Sequence, residues 1–220
     1  SVVARAAAEK IPVVIFDSGI DTEKYIAQVA TDNYRGGERG AERIGKLLNG
    51  AGKIAMVMVQ PGAASTMARE QGFKDKLAKD FPNIKIVDEK YGWADYAKSL
   101  AVSENMLTAH PDIQAMFASN ESSTVGAAQA LKGRKLPIKL VGFDSSTSLL
   151  EDLRAGVIDS LIVQDPFQMG YKSVIAATDH MNGKAVEKNQ PLAATLVEKS
   201  SVDTPEIQSK INPDLKKYLN

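Results

Sequence analysis

The sequence predicts an α/β fold in which a mostly parallel sheet carries helices on both faces. Short apolar runs alternate with longer helical stretches. The runs are continuously apolar rather than alternating, as strands buried on both faces require. Turn dipeptides fall between elements: Asn49-Gly50, Pro82-Asn83, Lys132-Gly133 and Asn182-Gly183. In order, SVVARAAAEK (1–10) reads as the back half of a helix leading into a strand at 12–16, PVVIF. Strands follow at 53–59, 84–88, 113–118, 138–143 and 157–163, with helices at 34–49, 64–80, 94–108, 121–132, 146–154 and 167–182. A βα unit seldom begins in mid-helix, so sequence is expected to be missing upstream of Ser1.

Composition narrows the function classes. Lys plus Arg equals Asp plus Glu at 27 each, so no basic surplus points to nucleic acid and no acidic run to a solvating tail. The chain holds no cysteine, which excludes disulfides, thiol nucleophiles and cysteine-bound metals. Its two histidines, His110 and His180, are far apart, have no partner at metal-ligand spacing and read as solvent-exposed turn residues. Apolar runs such as IAMVMV at 54–59 are far too short to span a bilayer, so no membrane insertion is expected. No signal peptide or lipidation motif marks a location.

In open α/β sheets the ligand crevice lies beyond the carboxyl ends of the strands, so the residues after each run are the candidates. Asp17-Ser18 follow the first run, and Gln60-Pro61-Gly62 the second, leading into a helix that carries Arg69. Trp93 follows the third, Asn120-Glu121 the fourth, Asp144 the fifth and Gln164-Asp165 the sixth. Asp, Asn, Gln and Arg offer directional planar hydrogen bonds to hydroxyls, and an aromatic ring packs on apolar C–H faces. No nucleophile–base pair, phosphate loop or G-x-G-x-x-G turn accompanies them. The inventory suits a polyhydroxylated ligand bound without catalysis.

Each residue also has a purely structural reading. Asp17 fits a turn, Asn120 and Asp144 fit helix N-caps, and Gln164 fits backbone satisfaction at a chain crossing. Arg69, with Glu70 and Asp75 nearby, fits a solvated ion pair. Trp93 fits packing on a neighbouring helix as well as it fits stacking on a sugar. Gly36-Gly37 reads as close packing of a helix on the sheet, and Met56, Met58 and Met67 read as core filler.

Six blocks in order, IPVVIFDSGID, VATDNYRGGERGAERI, STMAREQGF, IQAMFASNESSTVGAAQAL, IKLVGFDSS and LRAGVIDSLIVQDPFQMGYKSV, resemble the periplasmic sugar-binding proteins of the ribose/galactose type. The similarity spans about residues 1–200. It implies the type I periplasmic-binding fold, with two Rossmann-like parallel-sheet lobes joined by three crossings and the first lobe incomplete. Crossings are expected near Thr31–Asn33, Gln164–Asp165 and Glu198–Ser200. The N-terminal lobe remnant would be 1–31 plus 165–198, and the C-terminal lobe 33–163 plus 199–220. By the motifs, Asp17 is the N-lobe carboxylate, Arg69, Asn120 and Asp144 are C-lobe hydrogen-bonders, and Gln164 is the hinge-side amide, with Trp93 added from the rim.

The resemblance further implies a monosaccharide or polyol as ligand, an ABC-transporter permease as partner, a periplasmic location, and neither enzymatic activity nor a cofactor. Three departures stand out. Asn120-Glu121 replaces the usual Asn-Asp, and Asp17-Ser18 replaces the ribose-type Asp-Arg, which puts ribose in doubt. The family's first strands, with their pocket aromatics, are absent. The effector core of a lactose-repressor-like transcription factor shares this fold. The stretch formed by Leu153, Gly156, Ile158, Gln164 and Pro166, and Ser145-Ser146 after Asp144, resemble transport proteins instead.

Overall fold

A computed structural model describes residues 2–217. The chain starts with α1 (Val2–Ala8), β1 (Val14–Phe16) and β2 (Ala27–Thr31). A run of βα units follows: α2 (Asn33–Leu47), β3 (Ala51–Met58), α3 (Ala64–Asp80), β4 (Asn83–Tyr91), α4 (Tyr96–Ala109), β5 (Ala115–Ala118) and α5 (Glu121–Arg134). It continues through β6 (Lys139–Phe143), α6 (Thr147–Ala155), β7 (Ser160–Val163), α7 (Pro166–Met181), β8 (Asn189–Leu192), β9 (Thr195–Glu198) and α8 (Pro205–Ile211).

The strands form two sheets. One has six strands in the order β4-β3-β5-β6-β7-β9, parallel except for the β7–β9 pair, and the other is parallel with the order β1-β2-β8. The parallel α/β class expected from the apolar runs is therefore present, divided over two sheets. Every residue of β5 and β7 is buried, because helices cover both faces of the large sheet. On one face Met106, Leu131, Leu149, Leu153 and Ile207 from α4, α5, α6 and α8 join Met116, Leu140 and Leu161. On the other, Ile44 of α2 and Phe73 of α3 join Ile54, Met56, Phe117, Phe143 and Ile162. Phe73 stacks on Phe117 at 4.0 Å between ring centroids, and Phe143 meets Phe117 edge-on at 6.1 Å.

The glycines of α2 set the position of α3. A Cβ on Gly37 would lie 1.9 Å from the carbonyl oxygen of Arg69, and one on Gly72 would lie 2.1 Å from that of Tyr34. Backbone meets backbone here, so only glycine permits the approach. Gly36 does face the sheet, as expected, with Phe143 as its neighbour; Gly37 packs against a helix instead. Met56 and Met58 are core residues, whereas Met67 is 47% exposed, its sulfur accepting from the Gly62 N–H.

The chain passes between the sheets after β2, after β7 and after β8. The first two passages fall at residue 32 and at residues 164–165. The third falls at 193–194, after which β9 pairs antiparallel with β7 and buries Val197 in the large-sheet core. Residues 195–198 thus pair into the six-stranded sheet. Only two residues separate β8 from β9, so the passage carries no loop-like signature. His110 is a correction: it ends α4 partly buried, with Nε2 3.5 Å from Asp88, rather than standing free in solvent.

Candidate functional site

The connectivity of the large sheet reverses between β3 and β5, since the chain leaves β3 for β4 on one side and returns to β5 on the other. Such a switch point opens a crevice beyond the strands' carboxyl ends. Arg69 and Glu70, consecutive on α3, reach the residues just after the ends of β3 and β5 and are 3% and 6% exposed. Arg69 donates through Nε to Asn33 Oδ1 at 2.8 Å and through Nη1 to the Ser119 carbonyl at 2.9 Å. Its guanidinium lies 4.3 Å from the centre of the Phe143 ring. This is no solvated ion pair: Asp75 is engaged with Tyr34 and Gln71 instead.

A second chain of hydrogen bonds runs from the passages to the strand ends. Thr31 Oγ1 donates to Gln164 Oε1 at 2.8 Å, and Gln164 Nε2 donates to Asp144 Oδ1 at 2.6 Å. The other oxygen of Asp144 accepts from the Glu121 N–H at 2.8 Å, at the start of α5 where the helix dipole favours negative charge. Asn33 Nδ2 donates to the Thr31 carbonyl at 2.9 Å, so the Arg69 and Gln164 networks meet at the first passage.

Asp17 and Asp144 are built alike. Each follows its strand directly and adopts a left-handed backbone, with φ of 70° and 74°. Each donates its N–H to the strand next to its own, Asp17 to Val29 and Asp144 to Ile162, both at 3.0 Å. Strained φ at aspartates is concentrated at functional sites, and here it turns both carboxylates off the strand ends. Asp17 makes no side-chain hydrogen bond among the described residues, but its charge acts on Arg69 through space. Its neighbour Ser18 accepts from the Ser65 N–H at 3.4 Å and so ties the small sheet's first strand to the start of α3.

The remaining candidates are held differently. Asn120 caps α5, with Oδ1 accepting from Ser123 N–H at 3.0 Å and Nδ2 donating to Ser122. Trp93 is 52% exposed with φ of 59°, its N–H donating to the Val59 carbonyl at 2.8 Å and its ring tilted against Tyr91. The structure thus joins Arg69, Asp144 and Gln164 through shared partners, with Asp17 near in charge. Trp93 stands at the end of the same row without touching them. Thr31, Asn33, Ser119 and Phe143 contact this network, and Glu70 lies beside it through Ser119; none of them was singled out from the sequence. No sequence signal marks Glu70, because neighbouring positions on a helix point about 100° apart and its burial is set by the packing of α3.

Burial pulls the Arg69 guanidinium below its ordinary value, opposed by the nearby charges of Asp144, Asp17 and Glu70. An arginine keeps its proton even so, and the site presents one fixed cation among three carboxylates. Burial pushes Glu70 above the usual carboxylate range, against hydrogen bonds from Ser119 and Val59. Among the described residues no group of His, Cys, Asp or Glu could hold a metal, and no helix is long and apolar enough to cross a membrane. A surface cavity of about 520 Å³ lies at the opposite end of the sheet, lined by Lys132, Leu136, Gly156 and Lys199, and shares no residue with this rim.

The profile of the periplasmic binding protein domain matches residues 1–185. The chain belongs to this family. Among curated periplasmic binding relatives it is 33% identical to the ribose import binding protein of Bacillus subtilis over 84% of its own length and 60% of the relative's. It is 26% identical to the D-apiose import binding protein of Paraburkholderia graminis, covering 91% of this chain and 65% of that one. The chain therefore spans somewhat under two thirds of these family members. Of solved structures, a carbohydrate transporter solute-binding protein of Agrobacterium radiobacter in complex with D-arabinose superposes with a TM-score of 0.90 at 33% identity, over 96% of this chain and 73% of that one. An ABC transporter solute-binding protein of Agrobacterium vitis bound with α-D-tagatopyranose gives 0.89 at 30% identity, over 94% and 74%.

Proposed function

We propose that the protein spanned by this chain is the extracytoplasmic solute-binding component of an ABC importer, taking a monosaccharide or small polyol between two lobes that close about the three passages. The lobes would be the two units built on the two sheets. One observation carries the reading: Arg69, Asp144 and Gln164 are pre-organised at the strand ends by a shared hydrogen-bond network that runs through Asn33 and Thr31. Planar groups fixed by protein partners suit hydroxyls, each of which donates and accepts. Import binding proteins among the curated relatives, and sugar-bound solute-binding proteins among the structural ones, support the same class.

Asp17 and Asp144 supply acceptors from the two sides, Arg69 a buried cation, Gln164 an amide at the passage, Asn120 an amide at the α5 N-terminus and Trp93 an aromatic face. Periplasmic location and a membrane permease as partner follow from that role. Isothermal calorimetry on the intact protein with a panel of pentoses, hexoses and polyols is the decisive experiment. Micromolar or tighter binding of at least one member is expected, a standard free energy of about −8 kcal/mol or better. Heats indistinguishable from dilution across the whole panel would overturn the reading.

A further inference from the structure

Glu70 is a buried carboxylate that forms no ion pair among the described residues, and the binding role above does not use it. A single oxygen, Oε1, accepts the Val59 N–H at 3.1 Å and the Ser119 hydroxyl at 2.8 Å. Those residues follow the last residues of β3 and β5, the two strands that flank the switch point. Glu70 therefore bridges the carboxyl ends of the two strands.

What hangs on those two positions is the rim itself. Val59 precedes Gln60, and its carbonyl receives the Trp93 N–H at 2.8 Å. Ser119 precedes Asn120, and its carbonyl receives Arg69 Nη1 at 2.9 Å. One carboxylate is thus a single hydrogen bond from the Gln60 and Asn120 peptides and two from Trp93. Ser119 is gripped twice by neighbouring residues of α3, at its hydroxyl by Glu70 and at its carbonyl by Arg69.

We propose that Glu70 is a positioning residue for the binding rim, holding the ends of β3 and β5 so that Trp93, Asn120 and Arg69 face the ligand in one fixed arrangement. The ligand part of this inference rests on the sugar-binding reading; the positional part does not. Hydrogen bonds to an ionised acceptor are shorter and stronger than neutral ones, so protonating Glu70 loosens both tethers. The charged groups that face it are Arg69 and Lys74 on its own helix and Glu89 on β4, which Lys74 pairs, with Asp144 and Asp17 acting on Arg69 from the far side. Its elevated proton affinity brings that loosening above the usual carboxylate range.

The chain's single tryptophan, Trp93, reports on the tether directly. Its emission is followed in wild type, Glu70→Gln and Glu70→Ala between about pH 4 and pH 9, without sugar, beside calorimetry of the intact protein with D-ribose and D-arabinose. Wild-type emission is expected to change as Glu70 takes up its proton, at a higher pH than an exposed glutamate would, and Glu70→Gln to lack that transition. Glu70→Gln, which keeps an acceptor, should bind sugar within about threefold of wild type, whereas Glu70→Ala should lose about tenfold or more and show red-shifted Trp93 at every pH.

Identical pH profiles in wild type and Glu70→Gln, or unchanged emission in Glu70→Ala, would overturn the proposal. Should Glu70→Ala fail to fold, Ser119→Ala removes one of the two tethers, and unchanged Trp93 emission there overturns it equally. Absence of binding of both D-ribose and D-arabinose in the wild type removes those two pentoses as ligands, and the Trp93 transition still decides the role of Glu70.

Discussion

Both oxygens of Asp144 accept from protein donors, Gln164 Nε2 and the Glu121 N–H, and its backbone is left-handed. Asn tolerates that backbone and keeps the shape, but has one acceptor where two donors converge. Asp144→Asn should therefore leave one donor facing an NH₂ group. A stability loss of about 1–3 kcal/mol in urea unfolding is expected, with sugar affinity in the intact protein down about tenfold or more. Unchanged values for both would remove Asp144 from the site. Glu70 gives a prediction of opposite sign. Its folded-state pKa lies above the unfolded value, so the stabilisation linked to its proton is present at low pH and fades as pH rises through the folded value. Glu70→Gln, which carries no charge to desolvate, should equal or exceed the wild type in stability at neutral pH. That advantage should shrink as pH falls into the carboxylate range. Parallel stability–pH curves for the two proteins would contradict this. Sequence alone singled out Arg69, Asp144 and Gln164 because each follows a strand or sits in one of the blocks that carry the family resemblance. It could not show that Glu70 points inward, since burial depends on how α3 rotates against the sheet.

That rotation is set by packing between elements. α2 and α3 meet through Gly37 and Gly72, with no room for a side chain on either. Gly37→Ala should push α3 off α2 and cost about 1–3 kcal/mol, as overpacking does, and it should disturb Arg69 at the same time. Gly170, in the middle of α7, has open space where a Cβ would go, so Gly170→Ala should stabilise by about 0.5–1 kcal/mol through helix propensity. Thermal unfolding of both variants checks the contrast, and equal shifts would show that the close approach does not matter. The helix 64–80 and most strands were legible because their apolar runs are long and bounded by turn residues. β2, β8 and β9 were not among the expected strands. β8 is a four-residue edge strand containing Pro191, and β9 is four residues of mixed polarity, so neither offers a run to detect.

At the scale of the whole molecule, the two sheets have unequal cores. The large sheet is sandwiched by two clusters of buried side chains, one on each face. The small sheet has no comparable cluster among the described residues: β1 has no buried residue, Phe16 is 60% exposed, and β8 alternates exposed and half-buried positions. α7 covers it through little more than Met169, Ser173 and Ala176, while Tyr171, Val174 and Met181 face outward. Local stability follows buried apolar contact, so the small sheet should open sub-globally while the large one stays folded. Native-state hydrogen exchange of this chain should find the amides of β3, β5 and β6 protected to the level of global unfolding. Those of β1 and β8 should exchange at least about a hundredfold faster, a gap of about 2.7 kcal/mol in opening free energy. Because Thr31 and Gln164 bond to each other across two of the passages, Thr31→Val should widen this gap by speeding β1 and β2 and leaving β5 unchanged. Equal protection in both sheets, or equal acceleration by Thr31→Val, would mean that the molecule unfolds as one cooperative unit and that the passages do not act as a hinge.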